Sequence, residues 1–297
     1  MMAVFLELLV NGISVGAVYA LIALGFVVIF KATEVVNFTH ASLLLAGGYV
    51  IARLHPLIGF WAALAAGIAA AALVGALVEF LILRRAHVGS RGVLAIVTIG
   101  VDILLTTELT RRIGTEVLAL GDPWGDRVLR LGPVTVAETR VVALAVAAAL
   151  IVAFLLAFKF TGWGVAMRAT AEDAETAALM GVRLGRVSLS AWAVAGALAA
   201  VAAMFLCVFP TPGLDRGTAA AAMKAFPAAI LGGLDSTTGA LAGGLIVGVT
   251  ETLMSGYQSE LAFLGRGIGD AAPFLVMIVI LLLRPSGLFG TKEPARV

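Results

Sequence analysis

The sequence predicts an all-α fold, a polytopic transmembrane helical bundle of about 8–9 membrane segments, two of them short or broken. Three observations predict it. Of the 297 residues, 61% are hydrophobic, well above the roughly half expected of a soluble domain. Only 13% are charged, against about a quarter in soluble chains. The apolar residues also fall into blocks near the ~20 residues a helix needs to cross the hydrocarbon. One compact core cannot hide such an excess, so the apolar surface faces lipid.

The first span is expected over Val4–Phe30, with Asn11 and Ser14 inside it and Gly12/Gly16 as a GxxxG pair, the spacing that lets helices approach closely in lipid. No basic residue precedes Lys31 and Glu7 interrupts the start, so this span is expected to stay in place rather than act as a cleaved signal. A polar knot, Lys31–His40, leads to a short apolar piece, Ala41–Ala52. The third segment, Phe60–Leu83, is nearly pure Ala, Leu, Gly and Val until Glu79. A basic loop follows with Arg84, Arg85, His87 and Arg91, and then Val93–Leu109, which carries Asp102 and Glu108.

Residues 110–140 are polar, with Gly121-Asp-Pro-Trp-Gly125 as a turn. Val141–Phe158 is an uncharged span, and Lys159–Arg186 is the longest polar stretch of the second half. Val187–Phe209 is closed by Pro210 and Pro212. Ala219–Leu234 is the second short piece, interrupted by Lys224 and Pro227. Thr238–Gly256 holds Gly239/Gly243 and Gly244/Gly248, two more GxxxG pairs, and Gly269–Leu283 is the last span.

The chain therefore reads as a single permease-like membrane domain, 1–297. Its first half (4–158) and second half (187–297) flank a polar loop (159–186). Each half has its short segment in second place, and alternation of crossings gives the halves opposite orientations. This is the inverted-repeat pattern of transporters, in which interrupted segments mark the substrate path. Placing the 84–91 loop, the 159–186 loop and the carboxy terminus in the cytoplasm puts 11 Lys and Arg inside against 8 outside, the sense of the positive-inside rule. Arg111 and Arg112 oppose this assignment.

Other classes lack their residues. Cys207 is the single cysteine, so no disulfide framework exists, and His40, His55 and His87 are scattered. No basic face suits nucleic acid. Paired acids or an activated nucleophile for an intramembrane enzyme are missing, and no phosphate-cradling Gly-x-x-x-x-Gly-Lys-Ser/Thr loop occurs.

Within the polar loop, Thr170 with Asp173 three residues on reads as a capping start. Ala171–Met180 are mostly helix formers, and Gly181 is placed as a C-terminal cap. A helix of about ten residues is expected here. From the residues alone it is either a plain interfacial helix or a docking element, and Glu172 and Asp173 are either contact residues or first-turn charges favourable to the dipole.

The arrangement Gly164-x-x-x-Arg168-Ala-x-Ala-Glu-Asp173, then Ala177-x-Leu-x-Gly181, resembles the cytoplasmic coupling loop of branched-chain amino-acid ABC importer permeases, the LivH type. Asn11–Gly25 resembles that family's first span. Val36-Asn-Phe-Thr-His-Ala41, Met223–Ser236 and Arg284-Pro-Ser-Gly-Leu-Phe-Gly290 resemble three further motifs, in order along the chain. Pro227 and Leu234-Asp235-Ser236 depart from the familiar pattern. The first departure bears on the substrate path.

The resemblance implies a permease subunit of an inner-membrane importer. Its partners would be a second permease subunit (LivM-like), two cytoplasmic ATPase subunits that hold ATP and Mg, and a soluble binding protein. This chain would bind no cofactor itself, and its small-molecule cargo would be branched-chain (hydrophobic) amino acids. The coupling surface is then expected at Arg168, Ala169, Glu172, Asp173, Ala177, Leu179 and Gly181. Candidates for the translocation path are Asn11, Asn37, Thr39, His40, Ser42 and Lys224. A charge at bilayer centre costs about 2.5–3.5 kcal/mol on insertion scales, so Lys224 faces protein or water or snorkels to an interface. Glu79 and Glu251 read as interfacial, and Asp102 as buried against another helix. The same machine with urea, short amides or other amino acids as cargo, and an ion-coupled carrier, stand as alternatives.

Overall fold

The structure, a computed structural model, describes residues 2–86, 91–125, 127–131, 134–208, 213–261, 263 and 267–290. His87, Phe209, Pro210 and Pro212 lie outside the described residues. The helices are α1 (Met2–Thr33), α2 (His40–Ile58), α3 (Phe60–Val78), α4 (Arg91–Ile113), α5 (Glu138–Phe160), α6 (Gly162–Glu172) and α7 (Ala174–Leu179). Then come α8 (Leu184–Leu206), α9 (Thr218–Met223), α10 (Phe226–Gly232), α11 (Thr237–Gly256) and α12 (Ile268–Leu283). A π-helical turn, Glu79–Leu83, continues α3. Among the described residues, seven helices are long and apolar enough to cross a membrane: α1, α2, α3 with its π-turn, α4, α5, α8 and α11.

The count of full spans matches the expectation, but the membership differs. The piece expected to be short, Ala41–Ala52, is part of a 19-residue helix. Hydropathy falls at Arg53 and His55, yet the helix continues because the Arg53 guanidinium donates to the Arg112 carbonyl at 3.1 Å and lies over the Tyr49 ring. Conversely α12 has 16 residues, short of the ~20 of a full crossing. The other short segment is broken as expected, into α9 and α10 at Lys224–Ala225.

The outer loop adds an element that the all-α reading lacks. β1 (Val128–Leu131) and β2 (Val134–Ala137) form an antiparallel hairpin, with Val128 opposite Ala137. Its Thr135 amide donates to the Glu7 carboxylate at 3.2 Å, and the Ser14 hydroxyl donates to the Arg140 carbonyl at 2.9 Å. These bonds place the start of α1 on the hairpin face. At the opposite face Lys31 lies over the Phe158 ring, beside Arg168 of the polar loop.

α1 is the axis of the bundle, 83% of its apolar window being buried, whereas α4 and α5 reach only 11% and 17%. The lipid-facing surface is carried by exposed residues such as Ile96, Ile103 and Leu104 of α4 and Leu282 and Leu283 of α12. α1 packs along α11 and α3 along α8; α2 packs on α3 and α8, and α10 on α11 and α1. Exchanging α1 with α8, α2 with α10 and α3 with α11 maps these contacts onto one another with the helix directions reversed, which is the pairing of an inverted repeat.

Small residues set the spacing of both arms. A Cβ at Gly12 meets the Val249 Cα at 2.8 Å, and one at Gly75 meets the Trp192 carbonyl oxygen at 2.6 Å. The Gly239/Gly243 pair of α11 faces α10, where a Cβ at Gly243 falls against the Ala228 carbonyl group, and Gly244/Gly248 faces α1.

Glu79, read as interfacial, is 3% exposed in the π-turn. Its carboxylate accepts from Arg84 Nη2 at 3.0 Å, and Arg84 also donates to the Gly185 carbonyl at the start of α8. Replacing Arg84 with methionine leaves a buried carboxylate without its partner, a defect costing roughly 1–3 kcal/mol. We expect a lower melting temperature for detergent-solubilised R84M, with partial recovery in the double variant R84M/E79Q.

Candidate functional site

Two breaks in the helical scaffold meet inside the bundle. At the first, residues 34–39 link α1 to α2, and Glu34 takes a left-handed φ of 53°. The amides at the start of α2 have no intrahelical acceptors, and polar side chains take them up. The Thr39 amide donates to Asn37 Oδ1 at 2.8 Å and the Phe38 amide to Thr98 Oγ1 at 3.1 Å. The Ser42 amide donates to Asp102 Oδ1 at 3.1 Å, and its hydroxyl to the Thr39 carbonyl at 2.8 Å. Asp102 thus sits against another helix, as its sequence position implied, and its charge faces the positive end of α2.

His40 is fully buried and Asn37 is 2% exposed. The imidazole lies 4.6 Å, centroid to centroid, from Phe26, in a notch that exists because Gly25 has no side chain: a Cβ there would strike the ring. Both His40 nitrogens and Asn37 Nδ2 lack hydrogen-bond partners. Buried polar atoms are satisfied in the great majority of cases, so these three stand out in the apolar interior.

The second break lies alongside. Phe226, at the start of α10, packs tilted against Phe38 and Phe26, with ring centroids 5.4 and 5.3 Å apart. Phe38, two residues before α2, and Phe226 thus bring the two breaks into aromatic contact. Lys224, two residues before Phe226, donates from Nζ to Glu251 Oε1 at 2.8 Å and to Asp270 Oδ1 at 2.6 Å.

Of the candidate path residues, Asn37, Thr39, His40 and Ser42 cluster at the start of α2, with Lys224 near the adjoining break. Asn11 does not join them. Fifteen residues of helix separate it from Phe26, about 22 Å at 1.5 Å per residue. The sequence reading missed Phe26, Phe38 and Phe226, and missed Glu251 and Asp270 as partners of Lys224.

The polar loop folds into α6 and α7 rather than one ten-residue helix. Thr170 is not the cap: it is buried in α6 and donates to the Ala166 carbonyl at 2.9 Å. The chain breaks at Asp173 (φ −156°, ψ 105°), whose Oδ1 accepts from the Glu175 and Thr176 amides at 3.0 and 3.1 Å. Gly181, at φ 90°, provides the left-handed turn expected of it. Arg168 lies over the Phe158 ring and donates to the Phe158 carbonyl near the end of α5. Ala169 is half-buried, and Glu172 and Asp173 are exposed. Ala177 is 3% exposed and supports α7 from beneath, whereas Leu179 is 87% exposed. Arg168, Glu172, Lys31 and Asp235 line a cleft of about 670 Å³ that opens on this face.

The Thr176 hydroxyl, donating to Asp173 Oδ2 at 2.6 Å, and the Thr176 amide hold the Asp173 carboxyl below its usual range. A depressed folded value means the cap stabilises α7 above the unfolded carboxylate range of about 3.9 and loses that effect as pH falls through the folded value. Asp173→Ala is expected to fray α7, speeding amide exchange at Ala177 and Met180, with Asp173→Asn restoring protection. Unchanged exchange in the alanine variant contradicts the assignment.

Seven candidate spans among the described residues give the chain the architecture of a multi-pass helical membrane protein. The chain belongs to the family described as branched-chain amino acid transport system / permease component, whose model matches residues 8–283. It is 31% identical to the high-affinity branched-chain amino acid transport system permease protein LivH of Salmonella typhimurium, over 99% of this chain and 98% of that one. It is 29% identical to BraD of Pseudomonas aeruginosa over the same shares. It is 30% identical to a probable LivH of Methanocaldococcus jannaschii, over 91% of this chain and 88% of that one. Among solved structures, PsaBC from Streptococcus pneumoniae in complex with Fab aligns with a TM-score of 0.41 and 18% identity, over 95% of this chain and 89% of that one.

Proposed function

We propose that this chain is the permease subunit of an ATP-binding-cassette importer that moves branched-chain amino acids across the inner membrane. The family match over residues 8–283 carries this reading. It is supported by α7, which presents Leu179 and Met180 outside the bundle at 87% and 81% exposure. On this reading the face with Lys31, Arg168 and Arg284 is cytoplasmic, and α6–α7 docks on ATPase subunits that bind and hydrolyse ATP. A second permease subunit completes the path, and a soluble binding protein delivers cargo at the hairpin face. Closure of the ATPases changes transport only by favouring one permease conformation over another. The touching breaks, with three phenylalanines beside buried polar atoms, suit a substrate with a branched apolar side chain and a polar head.

The test is affinity purification of the tagged permease from native membranes, with mass identification of partners, for the wild type and Glu172→Arg. Recovery of two ATPases and a second permease, weakened in the variant, supports the reading. A solitary protein whose transport survives without any ATPase overturns it in favour of an ion-coupled carrier.

A further inference from the structure

One loop, residues 114–125 between α4 and the hairpin, runs across the outer ends of α2, α3 and α8. Trp124 packs against Phe60 of α3 and Phe205 of α8, with ring centroids 5.9 and 6.2 Å apart. Gly121 lies on His55 of α2, where an added Cβ would meet the imidazole Cδ2 at 2.8 Å. The loop is also latched to the chain that leads into the second break. Leu118 and Leu214 form an isolated antiparallel bridge. The Leu118 amide donates to the Leu214 carbonyl at 2.9 Å, and the Leu214 amide to the Leu118 carbonyl at 2.7 Å. Arg216 adds a third tether, donating from Nε to the Gly114 carbonyl at 2.6 Å. The Leu214 side chain is fully buried and lies against Gly48 of α2. α9 begins four residues after Leu214, so the latch holds the entry to the broken segment that carries Lys224 and Phe226.

The ends of the loop are built differently from its middle. Gly114 and Gly125 take left-handed φ of 75° and 62°, and an added Cβ at either meets nothing within 4 Å. Such glycines let the backbone turn without loss of packing, as hinge positions have to. The middle, by contrast, is held by ring contacts and a reciprocal pair of backbone bonds. On the opposite face the cleft of about 670 Å³ beside Lys31 and Arg168 stands open. This conformation is thus covered on the hairpin side and open on the other, and alternating access requires both to reverse.

We propose that residues 114–125 are the outer lid of the translocation path, hinged at Gly114 and Gly125 and latched by the Leu118–Leu214 pair. Parting of that pair frees the chain entering α9–α10, so the second break rearranges as the outer side opens. The assignment rests on the permease reading and adds to it the element that closes the outer side. A fixed brace would make the same contacts and never part during the cycle, and a reversible lock tells the two apart.

The lock is a disulfide. The Cα atoms of a hydrogen-bonded antiparallel pair lie ~5.5 Å apart, within the ~4.4–6.8 Å that a disulfide spans. Leu118→Cys/Leu214→Cys is made in a Cys207→Ala background, which removes the one native cysteine. The complete importer in proteoliposomes, with its binding protein, ATP and radiolabelled L-leucine, is assayed before oxidation by copper phenanthroline, after it, and after dithiothreitol. The expected result is uptake reduced at least tenfold by oxidation and restored to within twofold by dithiothreitol. The background and each single-cysteine variant are expected to be indifferent to both reagents. Unchanged uptake with the disulfide formed overturns the lid in favour of a brace, and a folded pair that does not cross-link overturns the latch. Leu214→Cys also removes buried volume, so a second measurement uses the wild type alone. Amide exchange at Leu118 and Leu214 is expected to be at least threefold faster in the complex during turnover than at rest, and equal rates overturn the proposal. A wild-type complex that assembles and moves no leucine overturns the permease reading itself, and the lid with it.

Discussion

Gly244→Leu is expected to abolish folded protein, and Gly244→Ala to lower its melting temperature by several degrees. A Cβ at Gly244 meets Ala20 at its amide nitrogen (2.5 Å), Cα (2.6 Å) and Cβ (2.7 Å). Two of these are backbone atoms, so no side-chain rotation relieves the clash. Both helices have to separate along the contact that also seats Gly12 and Gly16. Because α1 is the most buried helix of the bundle, moving it disturbs α8, α10 and α5 as well. Overpacking of this kind costs about 1–3 kcal/mol for one added methyl, and each kcal/mol moves the midpoint by about 2–4 °C in chains somewhat shorter than this one. Leucine adds far more volume at the same point. Gly100, where an added Cβ meets nothing within 4 Å, is the control, and its alanine variant is expected to melt with wild type. Fluorescence-detected size exclusion after graded heating reads all three. A monodisperse, wild-type-like Gly244→Leu peak would show that the α1–α11 contact is not what holds the bundle.

What the sequence makes legible is whatever a local pattern directly causes. GxxxG spacing on the first and eleventh helices is both the pattern and the physical reason for their close approach, so close packing at these helices could be read before the fold was known, though not which helix each pair meets. Gly121 and Gly125 bracket the expected turn with φ of 80° and 62°, and Asp122 closes it by accepting from the Trp124 amide at 2.9 Å. Where the outcome depends on distant residues, the pattern is silent. Arg53 looks like the end of a span until Arg112, 59 residues away, supplies a carbonyl. Lys224 finds its carboxylates 27 and 46 residues further along the chain, and no window of sequence joins those three charges. The choice of cap between Thr170 and Asp173 is another such case. Both are good capping residues, but Thr170 is turned into the bundle by the packing of α6, which leaves Asp173 to terminate one helix and start the next. The candidate site was thus half visible: its polar residues stood out in an apolar chain, and the aromatic residues among them did not.

On the proposed importer reading, Leu179→Asp is expected to weaken association with the ATPase subunits about 30-fold or more, and to leave the stability of the permease unchanged. Leu179 and Met180 are the most exposed apolar residues of the coupling segment, between Asp173 at one end and Gly181 at the other. Single apolar residues on a surface are unremarkable. Two adjacent ones, held at the tip of a six-residue helix that is capped at both ends, are left exposed by the described residues. An anchor that fills a partner's pocket contributes about 2 kcal/mol or more to binding, which corresponds to a ~30-fold change in dissociation constant. The neighbouring Ala177 separates docking from folding. It is 3% exposed, so Ala177→Glu forces a charge beneath α7 and is expected to lower the melting temperature as well as the association. Surface-immobilised ATPase with detergent-solubilised permease gives the affinities, and thermal unfolding of the permease alone gives the stabilities. Leu179→Asp binding with wild-type affinity would remove α7 from the proposed interface and leave α6, with Arg168 and Glu172 at the rim of the cleft, as the remaining docking surface of that reading.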